Sequence, residues 1–246
     1  MDIPTDSDGA WRERYSAARA QIAEDGTSDL VGLLQTLCRT LTVNLALLGA
    51  AVNLMSATGS NGVAAASDEK CKALDELQFT TNEGPCHDAY ADRRPVMTPD
   101  LRSVPGGRWP GYATASLDAG VRGVFAFPLQ IGAARLGVLD VFAEQAGSLT
   151  DEQVAIALTF AQIATEILLD GDLITSAGEL DPGLATALDY RSEIYQAQGM
   201  VMVDLGVDLA EALARMRAHA FSHGIPLIDL ARDIINGYVM GEDENR

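Results

Sequence analysis

Apolar residues recur along the chain first at helical spacing, then as strand-like runs, and at the end at helical spacing alone. Trp11, Tyr15, Ala18 and Ile22 share one stripe, so a short helix is expected over 11–24, broken at Gly26. Asp29 is placed to cap a second helix whose buried face is Leu30, Leu33, Leu34, Leu37, Cys38 and Leu41. "LALLGAAVNLM" (45–55) reads as a buried strand ended by the turn "SATGSNG", with a short strand at "VAAAS" and a capped helix at 67–78. Residues 79–120 are crowded with Gly and Pro and are expected to be irregular; long loops in compact domains usually carry function. "RGVFAFPLQI" (122–131) and "ARLGVLDVFAE" (134–144) flank Gly132–Ala133, a hairpin signal. Both strands are apolar at nearly every position, so their sheet should be covered on both faces. One cover is a helix within 148–171, with Thr150 as N-cap, Gln153 at the capping-box position and Gly171 near its end.

From 173 the texture changes. "LITSAGELDPG" is a polar linker, and every apolar stripe after it is helical. A helix over 184–203 carries Leu188, Ile194, Ala197 and Val201. Asp208 and Glu211 are spaced to cap a second helix, with Leu209, Leu213, Met216 and Ala220 on its stripe and Gly224 at its end. Pro226 opens a third, bearing Leu227, Leu230, Ala231, Ile234 and Tyr238. A unit of roughly fifty residues is small enough to need docking or dimerisation. Gly199 inside the first of these helices costs about 1 kcal/mol relative to Ala, which points to close approach of another backbone. The expected organisation is an N-terminal helical segment (1–28), an α/β (α+β) domain with a central antiparallel sheet flanked by helices (29–171), a linker (172–188) and an all-α three-helix domain (189–240).

Composition narrows the function. With 17 Lys and Arg against 35 Asp and Glu, the net charge is −18. Such a chain repels phosphate backbones and anionic lipid heads, so any nucleic-acid contact must be a local patch. Cys38, Cys71 and Cys86 form neither a disulfide framework nor a CxxC metal knuckle, and reduced thiols fit a cytosol. The opening "MDIPTDSDGAWRERY" is acidic and has no apolar core, unlike a signal peptide. The longest apolar stretch, 41–55, is too short and too polar to span a bilayer. A soluble cytoplasmic protein with no membrane partner is expected.

Chemistry centres on "NEGPCHDAY" (82–90). Pro85 suits a first helical turn, which places Cys86 and His87 next, where a helix N-terminus favours a thiolate. Helix neighbours point about 100° apart, however, so His87 cannot serve as base to the adjacent sulfur. Cys86, His87 and Asp88 also lack the i, i+3/i+4 spacing that gathers metal ligands on one face. The expectation is therefore no catalytic residue, no metal and no cofactor. Cys86, Arg94 and Trp109 are the candidates for the wall of a ligand pocket, and the packing reading of Cys86 stands beside it.

The order of elements, together with Pro128, Leu129, Gly132, Leu136, Gly137, Val138 and Leu139 and the "NEGPC" loop, resembles a GAF domain over roughly 29–171. The tail resembles an ANTAR domain over roughly 185–239, at Ala197, Gly199, Met200, Met202, Ala212, Met216, Arg217, Ala220, Leu227, Asp229 and Ala231. The resemblance implies a sensory or dimerising GAF domain that takes an unidentified small-molecule ligand. It also implies a pair of ANTAR domains clasping tandem stem-loops in nascent RNA, hence a homodimer that controls transcription antitermination. Gln198 stands where Lys is usual, and across 189–239 four arginines are outnumbered by seven acids. The RNA footprint this leaves is Arg215, Arg217, His219 and His223, with Gln198 nearby. Arg217 lies about 160° around the helix from His219 and could pair instead with an acid. Two other readings stay open: a GAF-fold free methionine sulfoxide reductase using Cys71 and Cys86, and a dimerisation adaptor with a degenerate RNA surface.

Overall fold

The computed structural model describes residues 7–27, 29–56, 59–104, 107–171, 184–185 and 190–238. Helix α1 (Ser7–Glu24) is followed by α2 (Leu30–Leu45), which starts where the Asp29 side chain accepts the Gly32 N–H at 2.8 Å. The apolar stripe of α2 continues through Leu45, and the helix stops only where Ala46 turns left-handed at φ 50°. Strand β1 (Gly49–Ser56) therefore begins later than position 45 and pairs with β2 (Gly59–Ala66). Asp68 caps α3 (Glu69–Thr81), and Asn82 ends it in the left-handed region.

The segment 79–120 is more regular than its Gly and Pro content suggests. It holds α4 (Pro85–Asp92), the short strand β3 (Val96–Thr98), a 3-10 turn (Leu101–Ser103) and α5 (Pro110–Asp118). Both helices open on proline at the first turn, where the missing N–H costs nothing, so here Pro marks starts rather than breaks. Gly84, at φ 139°, is required before α4 because a Cβ there would stand 2.4 Å from Gln78 Oε1.

The hairpin β4 (Gly123–Ile131) and β5 (Ala134–Ala143) turns at Gly132, and α6 (Asp151–Asp170) begins with the full capping box of Thr150 and Gln153. The sheet is antiparallel in the order β2-β1-β5-β4-β3. Its two faces are both buried. Phe125, Phe127, Leu139 and Val141 join α1, α2 and α6, while Val124, Ala126, Val138 and Phe142 join α3, α4 and α5. By length and composition α6 could cross a membrane, but half of that stretch is buried inside the chain.

The tail forms α7 (Tyr190–Leu205), α8 (Leu209–His223, capped by Asp208) and α9 (Leu227–Ile235) around a core of Ile194, Ala197, Val201, Met216, Leu230 and Ile234. Most of the expected linker lies outside the described residues, though Leu184 is buried with the α1–α2–α6 face. No backbone approaches Gly199: a Cβ there meets nothing within 4 Å among the described residues, so that expectation fails within this chain.

The close approach of backbones occurs instead at Gly137, whose added Cβ would sit 2.0 Å from the Asn53 carbonyl oxygen between β5 and β1. Backbone cannot swing aside as a side chain can, so Gly137→Ala is expected to destabilise the chain by about 2–3 kcal/mol in urea unfolding.

Candidate functional site

On the α3–α5 side of the sheet, two polar side chains interrupt otherwise apolar strands. Asn53 on β1 and Asp140 on β5 are 1% and 0% exposed. Helix α3 brings Asp75 and Gln78 to meet them. Asn53 Nδ2 donates to Asp75 Oδ2 at 2.6 Å, and Gln78 Nε2 donates to Asp75 Oδ1 at 3.1 Å and Asp140 Oδ2 at 3.2 Å. The other end of the Gln78 amide, Oε1, accepts the Cys86 N–H at 2.7 Å. One glutamine thus joins α3, α4 and the sheet. Burial pushes both carboxyls up, and the neighbouring Asp75 pushes Asp140 further.

Cys86 is 1% exposed, its thiol 3.8 Å from Met55 Sδ, and burial pushes its pKa well up. His87 does not serve the sulfur, since its Nε2 lies 3.1 Å from the Gln78 carbonyl oxygen. Trp109 is buried against the same cluster, with the Arg108 guanidinium 4.2 Å above its ring. Glu83 anchors α5 beside it by accepting the N–H groups of Gly111 at 2.6 Å and Tyr112 at 3.0 Å. Arg94 is not brought to Cys86 and Trp109. Its side chain is 75% exposed and pairs with Asp92 at 3.1 Å, which corrects the expectation that the three line one wall. Nor did sequence spacing find the acidic cluster, because Asp75, Cys86 and Asp140 come from three separate elements.

At the other end of the chain, α8 splits the expected RNA footprint between two faces. Arg215 is exposed and held by Glu211, its Nε donating at 3.1 Å. His219 and His223 stack with ring centres 4.0 Å apart, beside Tyr238 at 5.9 Å. Gln198 is removed from the set: it is 9% exposed and donates to the Leu209 carbonyl at 2.6 Å, bracing α7 against the start of α8. Arg217 forms no ion pair with an acid among the described residues. Its guanidinium lies 4.5 Å over the ring of Phe79, and burial lowers its pKa to about 10.

Phe79 comes from α3 of the first domain, yet it is 6% exposed within the core of the three-helix unit. Arg191, 3% exposed, covers its ring at 3.5 Å. Two cations over one buried ring are a cation–π arrangement in a partly dry setting, worth more than at an exposed site. Beside it, a cavity of about 570 Å³ runs along the seam between α3, α5 and the three-helix unit, lined by Leu74, Leu77, Ile194, Phe221 and Leu227 among others. This cavity lies at the seam between the domains, and Cys86, Arg94 and Trp109 are not among its lining residues.

A family model described as a GAF domain matches residues 27–168, and one described as an ANTAR domain matches 183–235. Among solved structures the chain is similar to the GAF domain of an Acinetobacter phosphoenolpyruvate-protein phosphotransferase (10% identity, 69% of this chain and 96% of that one, TM-score 0.49). It is also similar to the corresponding GAF domain from Coxiella burnetii (13%, 65% and 93%, 0.48) and to free methionine-R-sulfoxide reductase from Neisseria meningitidis (18%, 69% and 94%, 0.48). A comparison with curated proteins gave no match.

Two outcomes follow from this geometry. All three cysteines are buried and each thiol is pushed up by burial, Cys71 to about 11, so a thiol reagent should label the native chain at least a hundredfold more slowly than the unfolded one. Fast labelling of Cys86 in native protein would contradict it. Truncation of the shared ring, Phe79→Ala, should cost about 3 kcal/mol in the tail. Amide exchange in α7 and α8 would then speed up more than a hundredfold while β4 and β5 keep their protection.

Proposed function

The chain belongs to the GAF domain family and continues into an ANTAR domain, and from that premise we propose a signal-responsive, RNA-binding regulator of transcription antitermination. GAF domains are sensor modules and ANTAR domains are RNA-binding antitermination outputs, so the architecture joins an input to an output. The observation that supports regulated binding is the docking of one domain on the other through Phe79. Of the four arginines in α7–α9, Arg191 and Arg217 are committed to that ring, and Arg232 pairs with Glu193 at 2.8 Å. Arg215, held by Glu211, and the stacked His219 and His223 form the polar patch left on α8 while the domains are docked. Undocking adds Arg191 and Arg217 to it. RNA contact of this kind reads stem-loop shape and unstacked bases more than a broad charged field.

The regulator acts as a homodimer, because a net acidic tail with only a small basic patch gains from a second tail bound to a tandem stem-loop at the same time. The reductase alternative needs a reactive thiol with a base in reach, and Cys86 is buried with His87 turned to a backbone carbonyl.

The test measures binding of the dimeric chain, its state fixed by light scattering, to tandem stem-loop RNA at low and physiological salt. Phe79→Leu keeps the core apolar and removes the ring. It should bind about five- to tenfold more tightly than wild type, with a steeper salt dependence as further arginines reach phosphates. Arg215→Ala with His219→Ala should weaken binding about tenfold. A chain that binds at neither salt, in either form, supports the adaptor reading instead. Unchanged binding by the double variant moves the RNA surface elsewhere.

A further inference from the structure

The network between the sheet and α3–α4 has more acidic groups than its hydrogen bonds account for. One carboxylate oxygen of Asp75, one of Asp140 and the sulfur of Cys86 lie within 4.8 Å of one another, on residues 0–1% exposed. The amides of Asn53 and Gln78 donate to both oxygens of Asp75 but only to Oδ2 of Asp140. Asp140 Oδ1 is buried with no hydrogen-bond partner among the described residues, and so are Tyr112 Oη and Ser116 Oγ on α5. Tyr112 stands close enough that, after burial itself, Asp140 is the next influence pushing its phenol up. A buried acceptor left unmade costs about 1–3 kcal/mol. Two carboxyls and a thiol packed together and buried call for protons or a cation.

Donor chemistry decides which cation. A sulfur donor excludes magnesium and calcium, which take oxygen ligands, while two carboxylate oxygens and one thiolate supply three of the four ligands of a tetrahedral zinc. The amides of Asn53 and Gln78 already hold the carboxylates from outside, as orienting partners do around protein-bound metals. We propose that Asp75, Cys86 and Asp140 form a zinc site between the sheet and α3–α4 of the first domain. Zn²⁺ binding there displaces the thiol proton of Cys86 and any proton on the carboxyls to solvent, so affinity rises with pH. The site is independent of whether the tail binds RNA, and it is tested without RNA.

The full chain is purified without chelator, and its metal content is measured by mass spectrometry. It is then stripped and titrated with Co²⁺, which reports a thiolate ligand through a near-ultraviolet charge-transfer band. One equivalent of zinc per chain, and one of cobalt with that band, are expected. Cys86→Ser should lose the band, and Asp140→Asn should weaken metal binding at least tenfold. Added Zn²⁺ should raise the melting temperature of stripped wild type, a readout that holds even where a variant does not fold. Wild type that is isolated metal-free, shows no band on titration and has an unchanged melting temperature overturns the site and leaves protons shared between the two carboxyls. A band that survives in Cys86→Ser overturns it as well, by placing the metal on another thiol.

Discussion

A sheet that is apolar on both faces has to be covered on both faces, and most of this chain's path answers that constraint. Helices α1, α2 and α6 close one side, drawn from opposite ends of the domain, while α3, α4 and α5 close the other from the chain between β2 and β4. Removing so much apolar surface from water is the main stabilising term. It also sets the terms for any polar group inside. Asn53 and Asp140 lie buried on the adjacent interior strands β1 and β5, so α3 must supply their partners. The position of α3 is thus fixed by a handful of hydrogen bonds as well as by packing.

That fixed helix has a second engagement. Three residues after Gln78 has been spent on the sheet network, the chain leaves α3 at Thr81, and between them Phe79 turns outward into the tail. The side chains of Asp75 and Gln78 belong to one core and that of Phe79 to another, so whatever shifts α3 along or about its axis is felt in both. Coupling between the sensor and the output needs no longer path than one turn of helix.

Much of this was legible in the sequence. Runs apolar at nearly every position gave β4 and β5 and the demand for two covers, and side-chain caps at Asp29, Thr150 and Asp208 marked helix starts that the structure keeps. The start of α4 was legible at Pro85, but β3 and α5 were not, because three to nine residues carry too little periodicity and Gly and Pro serve equally as breakers and as starters. The acidic cluster had a signal that spacing rules pass over: a single aspartate in "GVLDVF" and a single asparagine in "AAVNLM", each inside a run otherwise fit only for burial. Phe79 left no such mark. An aromatic near the end of a mixed-charge helix looks like any local anchor, and only the folded chain shows which core receives it. The tail's arginines were visible as charge, but whether a guanidinium faces water or a ring is settled by the domain next door.

A core completed by a residue from outside the domain bears on how separable the two halves are. The buried core of the three-helix unit holds no aromatic of its own among the described residues, with alanine at 197, 212, 220 and 231, and the ring in it arrives from the neighbouring fold. As a transplantable part it is therefore unfinished. Grafted behind a different sensor, it would need a substitute aromatic at the joint, and lineages exchanging such modules would have to exchange the joint with them.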